Sequence, residues 1–179
     1  MEVKKVVTGS LDENCYILIE NKTCLIVDPG DDYLRIMDAI GDNKILGILL
    51  THSHFDHVGA LRNFLNKKSI KIFKKSNLEE KQYQIGDFLF ECVFTPGHSN
   101  DSVSFYFKNN QFIIVGDFIF KGSIGRTDLP GGNDIDMKNS IKKIFHYSEN
   151  IIIYPGHGDR TTLKEEKYNN PYVVNMIDS

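Results

Sequence analysis

The stretch His52-Ser53-His54-Phe55-Asp56-His57 places four candidate metal ligands within six residues, directly after the run Ile48-Leu49-Leu50-Thr51. In an extended segment, side chains two residues apart point to the same side, so His52 and His54 can grip one ion. Asp56 and His57 fall where the chain would turn into the next helix. They point elsewhere and can hold a second ion. A polar loop of surface histidines is the plainer reading, but the same arrangement recurs along the chain.

An apolar strand ends, small or turn-forming residues follow, and a possible ligand comes next. Val93-Phe94-Thr95-Pro96-Gly97 leads to His98, Ile113-Ile114-Val115-Gly116 to Asp117, and Ile152-Ile153-Tyr154-Pro155-Gly156 to His157. Strand ends gathered at one edge of a sheet converge on a point, as binding loops do in α/β folds. Glycine before three of these ligands lets the backbone turn without a side-chain clash. The carboxylate of Asp117 has two oxygens and can bridge two ions, which a histidine cannot. His146, between Phe145 and Tyr147, lacks this setting and stays outside the candidate site.

Around these ligands the chain reads as strands with helices between them. Asn14 to Ile19 and Cys24 to Val27 are strand-like, and Asp28-Pro29-Gly30 breaks the extended run. Tyr33, Ile36, Met37 and Ile40 sit at helical spacing, with Asp31 and Asp32 at the end where a helix favours negative charge. A buried strand over Ile45 to Leu50 precedes one helix carrying Val58, Leu61, Phe64 and Leu65 on a single face. Strands follow at Phe88 to Phe94, Val103 to Phe107 and Phe112 to Val115. The alternation of Val103, Phe105 and Phe107 with Ser102, Ser104 and Tyr106 predicts burial on one face only. A helix with Met137, Ile141, Ile144 and Phe145, capped by Asp134, leads to a last strand, Ile151 to Tyr154, and a short helical tail.

The bulk properties set limits. The 179 residues, 41% hydrophobic and 25% charged, suit one globular domain spanning 1–179. A net charge of −3 gives no pull on phosphates, so nucleic acid is not an expected partner. Lys67, Lys68, Lys71, Lys74 and Lys75 read as a solvated face. Met1-Glu2-Val3-Lys4-Lys5 runs into strand-like sequence without a signal-peptide core, and no apolar run nears the roughly 20 residues that span a bilayer. A cytoplasmic protein without membrane contact is the expectation. If Asn21-Lys22 is a hairpin turn, Cys24 lies opposite Ile19 and roughly 13 Å along the strand from Cys15, too far for a disulfide. Cys15, Cys24 and Cys92 are therefore expected as buried thiols.

The ordered set His52, His54, Asp56, His57, His98, Asp117 and His157 resembles the metallo-β-lactamase superfamily. Within it the chain looks most like the glyoxalase II-type hydrolases, or hydroxyacylglutathione hydrolases. The resemblance extends from Asn14-Cys15-Tyr16 and Val27-Asp28-Pro29-Gly30 to Gly156-His157-Gly158. It implies an α/β fold, the αββα four-layer sandwich, with metals at one edge of the paired sheets. It assigns His52, His54 and His98 to one metal, Asp56, His57 and His157 to the other, and Asp117 to both. No cysteine stands at Asp117 and no arginine replaces His57, which argues against a true β-lactamase. Full-length glyoxalase II enzymes carry a C-terminal helical domain. Here 22 residues follow His157, so the short, single-domain form is expected.

A mechanism follows from charge. Two divalent ions, opposed by Asp56 and Asp117, leave a positive site in which the pKa of a bridging water falls to about neutrality. The hydroxide attacks a thioester carbonyl, Asp56 orients the nucleophile, and the thiolate leaves without an obligatory general acid. S-lactoylglutathione is the reference substrate. Lys121 and Arg126, a few residues past Asp117, are candidates to hold a substrate carboxylate. Ser123-Ile124-Gly125-Arg126-Thr127-Asp128 also partly matches a loop of the mononuclear iron persulfide dioxygenases of the same fold, the alternative reading. Nitrogen and oxygen ligands admit zinc first, with iron or manganese also possible. A monomer or small homo-oligomer is expected.

Overall fold

The computed structural model describes residues 1–65 and 70–178. Five strands form the first sheet in chain order: β1 (Glu2–Thr8), β2 (Glu13–Glu20), β3 (Thr23–Val27), β4 (Lys44–Leu49) and β5 (Lys71–Phe73). The first three are antiparallel, and β4 and β5 continue parallel to β3. In the second sheet β6 (Gln82–Ile85), β7 (Phe88–Phe94), β8 (Val103–Phe107) and β9 (Phe112–Gly116) run antiparallel. A small hairpin, β10 (Ile119–Phe120) and β11 (Ser123–Ile124), stands apart. Then β12 (Ile152–Pro155) adds parallel to β9, and β13 (Thr161–Thr162) closes that edge.

Helix α1 (Tyr33–Ile40), the short α2 (Phe55–Val58) and α3 (Leu61–Leu65) belong to the first sheet. Helices α4 (Asp134–Ile144), α5 (Leu163–Asn169) and α6 (Pro171–Asp178) belong to the second. Among the described residues, no helix is long and apolar enough to cross a membrane.

Alternation along the strands builds the layers. On β2, Tyr16 and Leu18 join Phe88, Phe90, Phe105 and Ile114 of the second sheet, while Cys15 and Ile17 face Ile36, Ile40 and Phe64 of the helices. On the far side, Ile113, Val115 and Ile153 pack against Met137, Ile141 and Ile144 of α4. These three apolar contacts make the order helix, sheet, sheet, helix: the αββα sandwich. Each fully buried large apolar side chain contributes about 1.5–3 kcal/mol, so a strand buried on both faces, such as β2, anchors the core.

The β2–β3 turn pairs Ile19 with Cys24, and Asn21 and Lys22 both have the positive φ of a tight hairpin, 46° and 60°. All three cysteines are free and buried. Of the lysine run, Lys71 and Lys74 are exposed, and Lys67 and Lys68 lie outside the described residues.

The structure corrects three expectations. First, β8 is buried on both faces: Ser104 is 0% exposed and Tyr106 only 6%. It lies inside its sheet and under a helical layer. Ser104 pairs its hydroxyl with Thr95 at 2.9 Å and Tyr106 meets the Tyr147 ring edge-on, so neither needs solvent.

Second, the single helix expected across Val58 to Leu65 is two, α2 and α3, and Leu65 is exposed. A Cβ on Gly59 would come within 2.2 Å of the Gly30 carbonyl oxygen. The next N–H, of Ala60, donates to the carbonyls of Pro29 and Gly30 at 3.0 Å instead of continuing a helix.

Third, Asn133 rather than Asp134 caps α4, its side chain accepting the Asp136 N–H at 2.9 Å. Asp134 sits in the first turn and accepts from the Thr127 hydroxyl. Phe145, expected within this helix, is its C-cap.

Strands β7, β9 and β12 share one direction, with β8 reversed between the first two. Their C-terminal ends therefore lie at one edge of the second sheet. The Val103 N–H donates to the Thr51 carbonyl at 2.8 Å and ties the segment after β4 to this edge.

Candidate metal centre

All seven predicted ligands meet at this edge. The ring nitrogens of His52, His54 and His98 converge: His54 Nδ1 is 3.1 Å from His52 Nε2 and 2.9 Å from His98 Nε2. Nitrogens around a tetrahedral cation at about 2.0–2.1 Å stand roughly 3.3 Å apart, so this spacing suits a shared ion. The second group is Asp56, His57 and His157, with His157 Nε2 3.3 Å from Asp56 Oδ2 and His57 Nε2 3.8 Å from it. Asp117 stands between the groups. Its Oδ1 is 3.2 Å from His57 Nε2, and its Oδ2 is 3.6 Å from both His98 Nε2 and His157 Nε2.

In four of the five histidines, His52, His57, His98 and His157, the opposite ring nitrogen is tied down, which aims the free lone pair inward. His98 Nδ1–H donates to the Arg126 carbonyl at 2.8 Å, and His157 Nδ1–H to the Leu11 carbonyl at 3.0 Å. His57 Nδ1–H donates to Asp28 Oδ2 at 3.0 Å. The Thr51 hydroxyl donates to the same Asp28 carboxylate at 2.5 Å and, in turn, accepts from His52 Nδ1–H at 3.0 Å.

The polar atoms left over test whether a cation fits. Buried His57 Nε2 and Asp117 Oδ1 have no hydrogen-bond partner although they face each other. An orphaned pair of this kind is costly unless a bound group satisfies it. Burial pushes the pKa values of His52 and His54 below the ordinary histidine range, which keeps both neutral, the form that ligates. Burial also opposes charge on His57, but Asp117 and Asp28 beside it prevail and hold its pKa well up. Asp117 is buried too, and its neighbour His57 holds its carboxyl well below the usual carboxylate range. The donor set of imidazoles and carboxylates, paired and spaced in this way, fits divalent cations.

Gly156 makes the close packing possible. A Cβ there would stand 2.2 Å from Asp117 Oδ1 and 2.7 Å from His57 Cε1. Beside Asp56 a hollow of about 250 Å³ opens, lined in part by Thr8, Leu11, Gly30 and Phe55. Leu11 and Phe55 are 50% and 75% exposed at this mouth.

The two expected substrate cations differ. Arg126 is committed to Asp128 through two 2.7 Å contacts, and it is its carbonyl that serves His98. Lys121 is exposed, makes no ion pair among the described residues, and lines a separate cleft.

Sequence reasoning missed the layer behind the ligands: Asp28, Thr51, Thr8 and Glu13. Asp28 is itself within metal-binding reach of His52 and His57. Glu13 Oε2 accepts from the Thr8 hydroxyl at 2.7 Å, while Oε1 has no hydrogen-bond partner and lies 3.7 Å from His57 Nδ1. Burial, then the charge of Asp28, raises the Glu13 pKa to about 9, so this carboxyl is a neutral acid at pH 7. The available signal was Asp28 itself, a carboxylate directly after a buried strand, as Asp117 is.

A four-layer αββα sandwich with two ligand groups at one sheet edge defines a class of metal-binding proteins. Comparison with known proteins gives the family: the model of the metallo-beta-lactamase superfamily matches residues 8–84 and 77–157, and the chain belongs to that superfamily. The probable metallo-hydrolase YqgX of Bacillus subtilis is 34% identical, over 97% of this chain and 98% of its own. The hydroxyacylglutathione hydrolase GloC of Haemophilus influenzae is 27% identical over 97% and 98% of the two chains. Among solved structures, the BLEG-1 B3 metallo-beta-lactamase is similar at a TM-score of 0.90 and 33% identity, covering 96% of this chain and 99% of its own. TTHA1623 in a di-iron-bound form gives 0.86 and 30%, covering 95% of this chain and 100% of its own.

Proposed function

We propose that this metallo-hydrolase family member cleaves small thioesters of the S-lactoylglutathione type. The observation that carries the reading is the pair of ligand groups with the Asp117 carboxylate within 3.6 Å of both. His52, His54 and His98 would hold one divalent ion, Asp56, His57 and His157 a second, with Asp117 between them. Zinc is the first choice, and the di-iron form of TTHA1623 keeps iron beside it. When bound, two such ions supply the charge that brings the pKa of a water to about 7 and polarises an acyl carbonyl.

The chain's own groups do the rest. Asp56 offers carboxylate oxygens at the open side of the centre, where it orients the attacking water and takes up its proton. Asp28 and the carbonyls of Arg126 and Leu11 keep the imidazoles aimed while charge moves. A thiol of pKa about 8.5 leaves as thiolate, so no separate acid is required. The Haemophilus influenzae hydroxyacylglutathione hydrolase, similar along nearly its whole length, supports the thioester as substrate.

The likeness to BLEG-1 favours a second reading, hydrolysis of a β-lactam amide. The test is an assay of one metal-loaded sample with S-lactoylglutathione, nitrocefin and glutathione persulfide. Thioester hydrolysis that is lost in His54→Ala supports the proposal. Nitrocefin cleavage alone moves the protein to the second reading, and oxygen uptake with the persulfide alone makes it a dioxygenase.

A further inference from the structure

We infer that Glu13 is a positioning residue for one ligand group alone: it sets His57 and His157, while the group of His52, His54 and His98 does not depend on it. The inference rests on the two-ion assignment above and not on the choice of a thioester as substrate. Glu13 opens β2 and is 0% exposed. Its Oε1 has no hydrogen-bond partner and lies 3.7 Å from His57 Nδ1. Its backbone forms an isolated antiparallel bridge with His157, and the next N–H, of Asn14, donates to the Gly156 carbonyl at 2.7 Å. Through side chain and main chain, one residue reaches both histidines of the second group.

The other carboxyl oxygen fixes the second support of His157. The Thr8 hydroxyl donates to Glu13 Oε2 at 2.7 Å and accepts the Asp31 N–H at 3.2 Å. Between Thr8 and Glu13 the chain makes the turn that presents the Leu11 carbonyl to His157 Nδ1 at 3.0 Å. The start of that turn is held as well, since the Gly9 N–H donates to Asp32 Oδ2 at 3.0 Å. Gly30 leaves room for this junction: a Cβ there would stand 2.5 Å from Glu13 Oε2. A buried carboxyl with one orphaned oxygen costs stability, a cost that packing alone does not require. The first group is supported differently. His52 Nδ1 meets the Thr51 hydroxyl and His98 Nδ1 the Arg126 carbonyl, and neither support bonds to Glu13. Asp28 serves both groups, so the selectivity belongs to Glu13.

The test is zinc affinity, measured by competition with a chromogenic chelator in two parent variants that each keep one ligand group intact. In His54→Ala the remaining ion sits with Asp56, His57 and His157, and adding Glu13→Ala is expected to weaken it about tenfold or more, the scale on which orienting partners act. In His157→Ala the ion sits with His52, His54 and His98, and the same addition is expected to leave its affinity unchanged. Glu13→Gln keeps the side-chain volume and an acceptor for the Thr8 hydroxyl, and is expected to restore affinity in the His54→Ala parent. A residue that only supports the fold would loosen both groups alike. If Glu13→Ala does not fold, Thr8→Val, which removes the partner hydroxyl without changing the side chain's shape, takes its place with the same expectation. Equal weakening in both parents, no weakening in His54→Ala, or a glutamine variant as weak as the alanine would overturn the inference. A His54→Ala parent that holds no zinc would refute the two-ion assignment itself, and the inference with it.

Discussion

His57 meets Asp28 at 3.0 Å through Nδ1 and Oδ2, and the same carboxylate holds the Thr51 backbone N–H at 2.7 Å through Oδ1. One buried aspartate thus sets the ring of His57 and, through Thr51, the ring of His52, one member of each ligand group. Asp28→Ala should weaken metal affinity about 10- to 100-fold, the usual cost of losing such an orienting partner. Competition against a chromogenic chelator measures this, with far-ultraviolet circular dichroism to establish that the variant is folded. A folded variant with wild-type affinity would remove Asp28 from the site.

At Gly156 the backbone passes close to the side chains of two candidate ligands, Asp117 and His57. Gly156→Ala has to push Asp117 and His57 apart, and a displacement near 1 Å can cost about 100-fold in rate. The fall should appear in kcat together with metal occupancy. A variant of undiminished activity would show that the Asp117–His57 spacing is not critical.

Metal removal should also act on stability, because the facing buried atoms His57 Nε2 and Asp117 Oδ1 have no hydrogen-bond partner. A ligand at 1,000 times its Kd stabilises the native state by about 4 kcal/mol, which for a chain of this size raises Tm by roughly 8–16 °C. Differential scanning calorimetry of chelated and metal-loaded protein reads the difference. Coincident transitions would mean that the ion adds nothing to the fold.

The cap of α4 provides a test away from the site. Asn133→Ala should destabilise the protein by about 1 kcal/mol in urea unfolding, and Asp134→Ala by less, since only Asn133 accepts a backbone N–H of the first turn. The reverse order would restore Asp134 as the cap.

The convergence of four candidate ligands was legible because each of the four follows a buried strand, and β-strand direction carries such ends to a common edge. His52 after β4, His98 after β7, Asp117 after β9 and His157 after β12 all obey that rule. Asp28 obeys it too, but Pro29 and Gly30 behind it read equally as a turn, and its φ of 50° is a conformation that aspartate tolerates. Glu13 was hidden because nothing local distinguishes a buried acid at the start of a strand from an exposed one. The break between α2 and α3 depends on the carbonyls of Pro29 and Gly30, distant in sequence, so helical spacing alone carried through it. In β8, serine and tyrosine counted as solvent-facing, yet their hydroxyl and ring partners come from other strands and helices.

The central claim is that seven side chains form one site for two ions, and the direct measurement is metal content. Protein purified without added metal, loaded with zinc and then desalted, should carry about two ions per chain by elemental analysis. His54→Ala and His157→Ala, one from each ligand group, should each retain about one. A wild-type protein that retains no metal, or variants that retain as much as the wild type, would contradict the account.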